Sequence, residues 1–206
     1  MQEIQVLALA GLLVFAYLLG AVPFGLILLR WVRSIDIRQI GSGNIGASNA
    51  RRAGGWFLGL ATLVLDGLKG AVPVWLSGLF FPESTGMLHP LAMIAATLSA
   101  FFGNLFPLYL KFKTGGKGVA IAAGSFAVIS PLSLFVAVGV FFLVAILTNR
   151  VSAGSLAAAA ALPPAISLIE QSWLFGGCAT VVALLVFIRH RENIRRILDG
   201  NEPPIR

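Results

Sequence analysis

Long apolar runs with few or no charged residues alternate with short polar stretches along the chain. Six such runs occupy about two thirds of the 206 residues: 6–29, 56–81, 91–110, 119–148, 151–169 and 172–188. A soluble domain has too small an interior to bury so many apolar residues, whereas about 20 helical residues match the hydrocarbon thickness of a bilayer. The pattern therefore predicts an all-α membrane helical bundle, built as a single domain over residues 1–206.

Composition agrees with this class and excludes several others. The mean hydropathy is +0.92, only 11% of the residues are charged, and the chain has one cysteine. These values exclude a soluble enzyme, a disulfide-rich scaffold and a disordered chain. The single Cys178 lies inside an apolar run, where packing is its expected role.

The net charge of +7 is unevenly distributed and predicts the orientation in the membrane. Lysine and arginine cluster at 30–52, 111–117 and 189–206, whereas residues 1–5 and 82–90 contain neither. Short basic loops stay on the cytoplasmic side of a membrane. The N-terminus is therefore expected outside, and the three basic stretches are expected on the cytoplasmic side.

The run 119–148 determines how many crossings are expected. As one helix it would measure about 45 Å, more than a crossing of about 30 Å requires, and Ser130-Pro131 offers a break within it. Two crossings here give seven transmembrane helices, with a cytoplasmic C-terminus and every basic loop on one side. Residues 119–130 are short for a full crossing, so five spans with re-entrant or interfacial segments are the alternative.

The first polar stretch, residues 36–52, combines glycines, small polar side chains and arginines. Glycines allow consecutive N–H groups to converge on an oxyanion, and arginine side chains suit phosphate. The candidate anion-binding residues are Gly41, Ser42, Gly43, Asn44, Ser48, Asn49, Arg51 and Arg52. The alternative is a solvated loop whose glycines only make turns.

The second polar stretch, residues 106–118, places glycines around one lysine just before a predicted helix at Val119. A helix N-terminus carries partial positive charge and N–H groups without intrahelical partners. The stretch is not a nucleotide-binding P-loop, because Gly118 rather than Ser or Thr follows Lys117. The candidate residues are Lys113, Gly115, Gly116, Lys117 and Gly118. A basic membrane anchor with a flexible joint is the alternative.

The third polar stretch, residues 189–198, continues the last apolar helix. His190 and Asn193 are three residues apart and therefore share a helix face. A histidine can also titrate near neutral pH. Contact between the surrounding arginines and lipid headgroups is the competing interpretation.

Polar residues also occur inside the apolar runs. Asp66 and Lys69 are spaced by three, so they can pair on one helix face and reduce each other's desolvation cost. The pair could support a functional site, or it could serve only in helix packing, and the sequence does not decide between these two roles. Asn104 is a further polar residue where lipid alone would disfavour one.

Several segments, in this order, resemble the bacterial acyl-phosphate:glycerol-3-phosphate acyltransferases, a family of integral membrane enzymes. The resemblance covers essentially the whole chain: VPFG at 22–25 in the first predicted helix, GSGNIGASNA at 41–50, LDGLKG at 65–70, FKTGGKGVA at 112–120 and RHRENIRRIL at 189–198. Two positions depart from the family pattern. Asn104 stands where the family typically has histidine, and Thr114 resembles an insertion before the following glycines.

The resemblance implies that a fatty acyl group moves from acyl phosphate to the 1-hydroxyl of glycerol 3-phosphate. The products would be lysophosphatidic acid and inorganic phosphate, in the first step of bacterial phospholipid synthesis. It also implies seven helices in the cytoplasmic (inner) membrane. The expected partners are glycerol 3-phosphate, a long-chain acyl phosphate and membrane lipid, with the enzyme that produces the acyl phosphate as a further candidate; no nucleic acid is expected.

The resemblance also assigns roles to individual residues, with the active site on the cytoplasmic side. By motif match, substrate binding and catalysis fall to Ser42, Arg52, Lys117, His190 and Asn193. Further substrate contacts are expected from Gly41, Gly43, Asn44, Asn49, Asp66, Lys69, Lys113, Gly115, Gly116 and Gly118. The N–H groups of Gly43, Gly115 and Gly116 are expected to face the acyl phosphate.

Other function classes fit the sequence less well. The His-x4-Asp motif of acyl-CoA acyltransferases is absent, and the eight acidic residues show no set spaced to hold metal ions, so neither metal nor another cofactor is expected. The main alternative is a small membrane transporter of phosphate or another anion, because basic, glycine-broken segments suit that role too. A membrane scaffold without enzymatic activity is a less favoured alternative.

Overall fold

The computed structural model describes residues 2–205, and over that range it is helical and contains no strand. This confirms the all-α prediction. The helices are α1 Gln2–Ala21, α2 Phe24–Arg33, α3 Ala47–Gly54, α4 Trp56–Phe80, α5 Leu88–Leu105, α6 Val119–Ile129, α7 Pro131–Thr148, α8 Val151–Ile169, α9 Trp173–Arg189 and α10 Arg191–Leu198. Short 3-10 turns lie at Ile37–Gln39, Glu83–Thr85 and Leu108–Leu110.

Each of the seven predicted apolar segments contains a helix. The predicted break in the fourth run is confirmed, because α6 ends at Ile129 and α7 begins at Pro131. Within the described residues, α1, α4, α5, α7 and α8 are long and apolar enough to cross a membrane, and α9 with α10 forms a further candidate bent by 60°. With 11 residues, α6 measures only about 17 Å. The number of crossings and the orientation stay predictions.

The first apolar run is not one helix, which corrects the sequence prediction. The run 6–29 is divided between α1 and α2 at Val22-Pro23, so the VPFG segment lies at the break and not in the first helix. Proline has no N–H to continue the helical ladder, and its ring restricts the preceding residue. The break leaves the Val22 carbonyl oxygen to accept a hydrogen bond from Lys69 Nζ at 2.8 Å.

The contacts divide the chain after Ile129 into two compact units. In the first unit, α1 packs on α5, and α4 packs on α6. Glycine permits both close approaches: a Cβ atom at Gly20 would overlap the carbonyl of Ala100, and one at Gly124 would overlap the carbonyl of Gly67. Small residues at helix crossings are typical of membrane proteins, because they let backbones approach closely.

The second unit contains α7 to α10. Here α8 packs against both α7 and α9, and α10 turns away from α9 at His190. The tail after α10 folds back toward the start of α8. The Ile205 N–H donates to the Asn149 carbonyl at 2.9 Å, and the Arg150 guanidinium donates to the Ile197 carbonyl at 3.4 Å.

Candidate functional site

The loop before α3, residues 41–46, is the first glycine loop, and Asn49 holds it in shape. Gly41 and Gly43 have φ of 57° and 67°, a region that favours glycine. The Asn49 side chain is 1% exposed, and its Nδ2 donates to the Ile40 carbonyl at 2.9 Å. Its Oδ1 accepts from the Ser42 N–H at 3.3 Å.

Asn49 has a structural role in this loop, and its predicted contact with substrate stays a prediction. Its Nδ2 also donates to the carbonyls of Ile37 and Asn44, at 3.1 and 3.0 Å. Both the oxygen and the nitrogen of the amide are therefore hydrogen-bonded to the backbone of the loop and of the turn before it. A buried amide engaged in this way fixes the backbone around it. Asn49 positions the loop that carries Ser42.

The two arginines of α3 point to different partners. Arg51 lies over the Trp56 ring, with its guanidinium carbon 4.5 Å from the ring centroid. Arg52 is exposed, and a Cβ atom at Gly41 would lie 3.9 Å from its Cδ, so this side chain runs beside the first glycine loop. Together with the exposed Ser42, Arg52 is the residue of this motif best placed to meet a phosphorylated ligand.

Other cations of the first polar stretch are already paired. Asp36 accepts from Arg30 at 2.8 Å and from Arg38 at 2.6 Å. The hydrogen bond from Arg38 holds the pKa of Asp36 well below its usual range. This ion-paired turn leads from α2 to the first glycine loop and restrains the entry to it.

The second glycine loop, residues 115–118, packs tightly on the end of α5. The Gly116 N–H donates to the Asn104 carbonyl at 2.9 Å, and a Cβ atom on Gly116 would lie 2.5 Å from Asn104 Nδ2. A Cβ atom on Gly115 would overlap the Leu105 carbonyl, and one on Gly118, where φ is 80°, would overlap the Phe101 ring. The glycines of this motif are required by close packing.

Two of the glycine N–H groups predicted to face an anion have backbone acceptors in this structure. The Gly116 N–H is donated to Asn104, and the Gly43 N–H is donated to the Ile40 carbonyl at 3.0 Å. The positions of the glycines were predicted correctly, but these two shape and pack the loops. The side chains of Arg52 and Lys117 carry positive charge beside these glycines.

The structure brings the two glycine loops together in the first unit. Asn44 Nδ2 lies 3.5 Å from the Gly115 carbonyl, at the outer limit of a hydrogen bond. Asn44 Oδ1 accepts from the Gly46 N–H at 2.9 Å, which fixes the amide. Lys117 is half-buried and stands two residues before α6, whereas Lys113 is exposed in the stretch that precedes the loop.

Asp66 and Lys69 pair as predicted. Lys69 Nζ lies 2.9 Å from Asp66 Oδ1, an ion pair that lacks hydrogen-bond geometry. The Lys69 side chain is 1% exposed and donates to the Val22 carbonyl and to Asn104 Oδ1. This pair lies inside the first unit, among groups that hold the loops, and its predicted substrate contact stays a prediction.

The third motif belongs to the second unit, where His190 and Asn193 are buried. His190 Nδ1 lies 2.8 Å from the Val186 carbonyl oxygen, so this nitrogen carries a proton that it donates to that oxygen. Asn193 Nδ2 donates to Glu202 Oε1 at 2.6 Å. The meeting of this motif with the two glycine loops stays a prediction.

Glu202 is the residue that sequence reasoning missed. Its carboxylate also accepts from Ser152 Oγ at 2.6 Å and from Arg196 Nε at 2.7 Å. Burial alone raises the pKa of Glu202, but the hydrogen bonds from Ser152, Asn193 and Arg196 lower it by more, so the net shift is downward. A single acidic residue in a polar tail gives no pattern that predicts this burial.

These features define a helical integral-membrane protein whose glycine loops are apposed and flanked by cations. The chain matches the family model described as "Glycerol-3-phosphate acyltransferase" over residues 10–200. It therefore belongs to the glycerol-3-phosphate acyltransferase family, which confirms the resemblance of its motifs.

Relatives of known name cover nearly the whole chain. Glycerol-3-phosphate acyltransferases of Syntrophotalea carbinolica and Geotalea daltonii are 44% and 45% identical, each covering 93% of this chain and 94% of their own length. The structure is also similar to two crystal structures of PlsY (YgiH), an integral membrane glycerol 3-phosphate acyltransferase. The glycerol 3-phosphate form has a TM-score of 0.87 at 32% identity, covering 96% of this chain and 95% of that one. The lysophosphatidic acid form has a TM-score of 0.85 at 31% identity with the same coverage.

Proposed function

We propose that this protein transfers a fatty acyl group from an acyl phosphate to the 1-hydroxyl group of glycerol 3-phosphate. The observation that carries the proposal is the contact of Asn44 with Gly115, which joins the two glycine loops beside Arg52 and Lys117 in one unit. Both proposed reactants are phosphate monoesters or anhydrides, and two cation-bearing loops suit two such anions. The glycerol 3-phosphate and lysophosphatidic acid forms of the solved relative support the same acceptor and product.

The reaction needs no covalent enzyme intermediate. The bond between the acyl carbon and the phosphate oxygen breaks, and the 1-hydroxyl oxygen forms an ester bond with that carbon. The hydroxyl proton passes to a phosphate oxygen of the substrate, and the products are lysophosphatidic acid and inorganic phosphate. Because acyl phosphate is an activated anhydride, the protein contributes mainly alignment and stabilisation of the departing phosphate.

Arg52, Lys117 and Ser42 bind glycerol 3-phosphate in this proposal. Arg52 and Lys117 supply positive charge, and Ser42 supplies a hydroxyl on the loop that Asn49 fixes. His190 and Asn193 keep the substrate-binding role that their motif implies. His190 as a general base is the alternative, but a substrate phosphate is the proton acceptor that the proposal prefers.

The acyl chain is proposed to lie among apolar helices. The long-chain acyl phosphate would be supplied by an enzyme that produces it, and the lipid product would remain in the membrane.

The test is turnover by purified protein in detergent with palmitoyl phosphate and glycerol 3-phosphate. We expect release of inorganic phosphate together with lysophosphatidic acid. A phosphate transporter, the alternative function, would release no phosphate from this mixture. Lys117→Ala should abolish turnover while the folded protein is still extracted, and Lys111→Ala, at an exposed lysine of the same basic stretch, is the matched control.

We also propose that the protein lies in the bacterial cytoplasmic membrane with its active site on the cytoplasmic side. Single cysteines at Ser42 and Ser84, introduced after Cys178→Ala, should react with an impermeant reagent from opposite sides of the membrane. Reaction of both positions from the same side would refute the orientation.

A further inference from the structure

Lys69 occupies an unusual place for a charged side chain. It lies within α4 and is 1% exposed. Among the residues that the structure describes, the oxygens around its ammonium are the Val22 carbonyl at 2.8 Å, Asp66 Oδ1 at 2.9 Å and Asn104 Oδ1 at 3.4 Å. The ammonium donates to two neutral oxygens and has its counter-charge in Asp66, so it is held between three elements of the first unit.

One of these oxygens leads to the first glycine loop. Val22 immediately precedes Pro23 and the start of α2. On α2, a Cβ atom at Gly25 would overlap the Ile45 carbonyl, so the first glycine loop rests directly on this helix. Lys69 therefore anchors the helix break on which the first glycine loop is supported.

Another oxygen leads to the second glycine loop. Asn104 accepts from Lys69 through its side chain, and its main-chain carbonyl accepts from the Gly116 N–H at 2.9 Å. Its side-chain amide lies against Gly116, where no Cβ atom would fit. A movement of the Asn104 side chain would therefore displace Gly116, which is one residue from Lys117.

We infer that Asn104 is a positioning residue which, held by Lys69, sets the second glycine loop at its place beside the first. The inference rests on the proposed function, because it assigns to this contact the affinity for glycerol 3-phosphate. Lys69 acts beneath both loops and contacts neither substrate. The pair Asp66 and Lys69 thus supports the site, which is one of the two roles that the sequence left open.

The contact can be tested at Asn104 without removing a buried charge. Asn104→Ala removes the support under Gly116 and the acceptor for Lys69, but keeps the main-chain hydrogen bond. We expect the KM for glycerol 3-phosphate to rise about tenfold, with kcat within about threefold of the unchanged protein. Asn104→Asp keeps an acceptor for Lys69 but places negative charge against the loop, so its KM should rise further than that of Asn104→Ala.

The matched control is Thr97→Val on the same helix. Thr97 is buried, and its hydroxyl donates only within α5, to the Met93 carbonyl at 2.9 Å. This variant should leave the KM for glycerol 3-phosphate unchanged. A purely structural role of Asn104 would lower the folded yield without this split between KM and kcat, which would overturn the inference.

A second measurement distinguishes failure of the inference from failure of the proposed function. Glycerol 3-phosphate should raise the thermal unfolding temperature of the detergent-solubilised protein, since a ligand of the folded state stabilises it. Asn104→Asp should reduce this shift, and Thr97→Val should keep it. If the unchanged protein binds glycerol 3-phosphate but does not turn over acyl phosphate, the proposed function is refuted, and a reduced shift in Asn104→Asp would still support the positioning role of Asn104. If Asn104→Ala and Asn104→Asp bind and react like the unchanged protein, the inference is refuted alone.

Discussion

Lys69 and Glu202 are both buried charged side chains, yet the two are held in different ways. Lys69, in the first unit, meets one carboxylate without hydrogen-bond geometry and two neutral oxygens. Glu202, in the second unit, accepts short hydrogen bonds from Ser152, Asn193 and Arg196. Lys69 holds Asn104, which lies next to a motif of the family, and Glu202 holds Asn193, which lies within one.

The difference teaches how a membrane protein places charge behind a site. Lys69 lies deep in an apolar helix, where water cannot solvate an ion that has lost its counter-charge. Glu202 lies on a tail outside the apolar helices, where hydrogen bonds from Ser152 and Asn193 and an ion pair with Arg196 stabilise the charged form. We therefore expect loss of the Lys69 charge to cost far more than loss of the Glu202 charge.

The largest expected effect is that of Lys69→Met, which leaves Asp66 as a buried carboxylate without a counter-charge. Breaking such a pair typically costs about 3–5 kcal/mol, so most of the protein should fail to fold. Size-exclusion chromatography after detergent extraction would measure the folded fraction. Leu68→Met, at an exposed neighbour on the same helix, is the control and should leave the folded fraction unchanged.

The double variant Lys69→Met with Asp66→Asn sharpens this prediction. It removes both charges, so the folded fraction should recover in part although the loops lose their anchor. A single variant that folds as well as the unchanged protein would show that this pair is not the costly element. A double variant no better than the single one would show that the damage is not electrostatic.

An intermediate effect is expected from Glu202→Gln. The amide has the shape of the carboxylate but no charge, so the hydrogen bonds from Arg196, Asn193 and Ser152 are weakened or lost. The expected loss is about 1–3 kcal/mol of unfolding free energy, measured by thermal unfolding in detergent. Asp199→Asn, at an exposed residue with its partner Arg195 3.7 Å away, is the control and should change little.

The pH dependence of this effect follows from the lowered pKa of Glu202. Its stabilisation is present above the usual glutamate pKa, about 4.3, and is lost as pH falls through the lower pKa of the folded state. The gap in unfolding temperature between Glu202→Gln and the unchanged protein should therefore be full at neutral pH and narrow below about pH 4.3. A gap that stays constant in acid would mean that the charge of Glu202 contributes no stability.

The same comparison explains what the sequence could and could not predict. Lys69 stands out because a charge inside an apolar run is rare, and its partner three residues earlier lies on the same helix face. Glu202 gives no such signal, because its burial depends on a tail that folds back onto Ser152, 50 residues earlier in sequence. Long-range contacts of this kind leave no periodicity in the chain.

The roles of site residues were harder to predict than their positions. Asn49 was predicted as a ligand of substrate because a loop asparagine can donate to phosphate, but the same amide can equally bind its own backbone. The glycines around Lys117 lie where they were predicted. Contact with Asn104 and Phe101 explains why glycine is needed there. A motif specifies which residues are needed, and packing decides what each of them does.

The smallest expected effect is that of Thr114→Gly. This variant tests whether the exposed residues just before the second glycine loop affect the KM as strongly as the buried contact with Asn104 does. Thr114 is exposed and has φ of 56°, a conformation that a β-branched residue rarely adopts. Glycine would relieve about 1 kcal/mol of strain there but would cost a similar amount of chain entropy. The two terms offset, so the unfolding free energy should change by less than about 1 kcal/mol.

The kinetic outcome for Thr114→Gly follows from where the loop is held. If Asn104 and Lys69 set the second glycine loop, the KM for glycerol 3-phosphate should not change when only the exposed approach is altered. Gly118→Ala is the opposite case on the buried side, because its Cβ would overlap the Phe101 ring at a φ of 80°. It should raise the KM strongly. An equal rise in both variants would mean that the approach itself positions the loop, and the buried ammonium would then lose its assigned role.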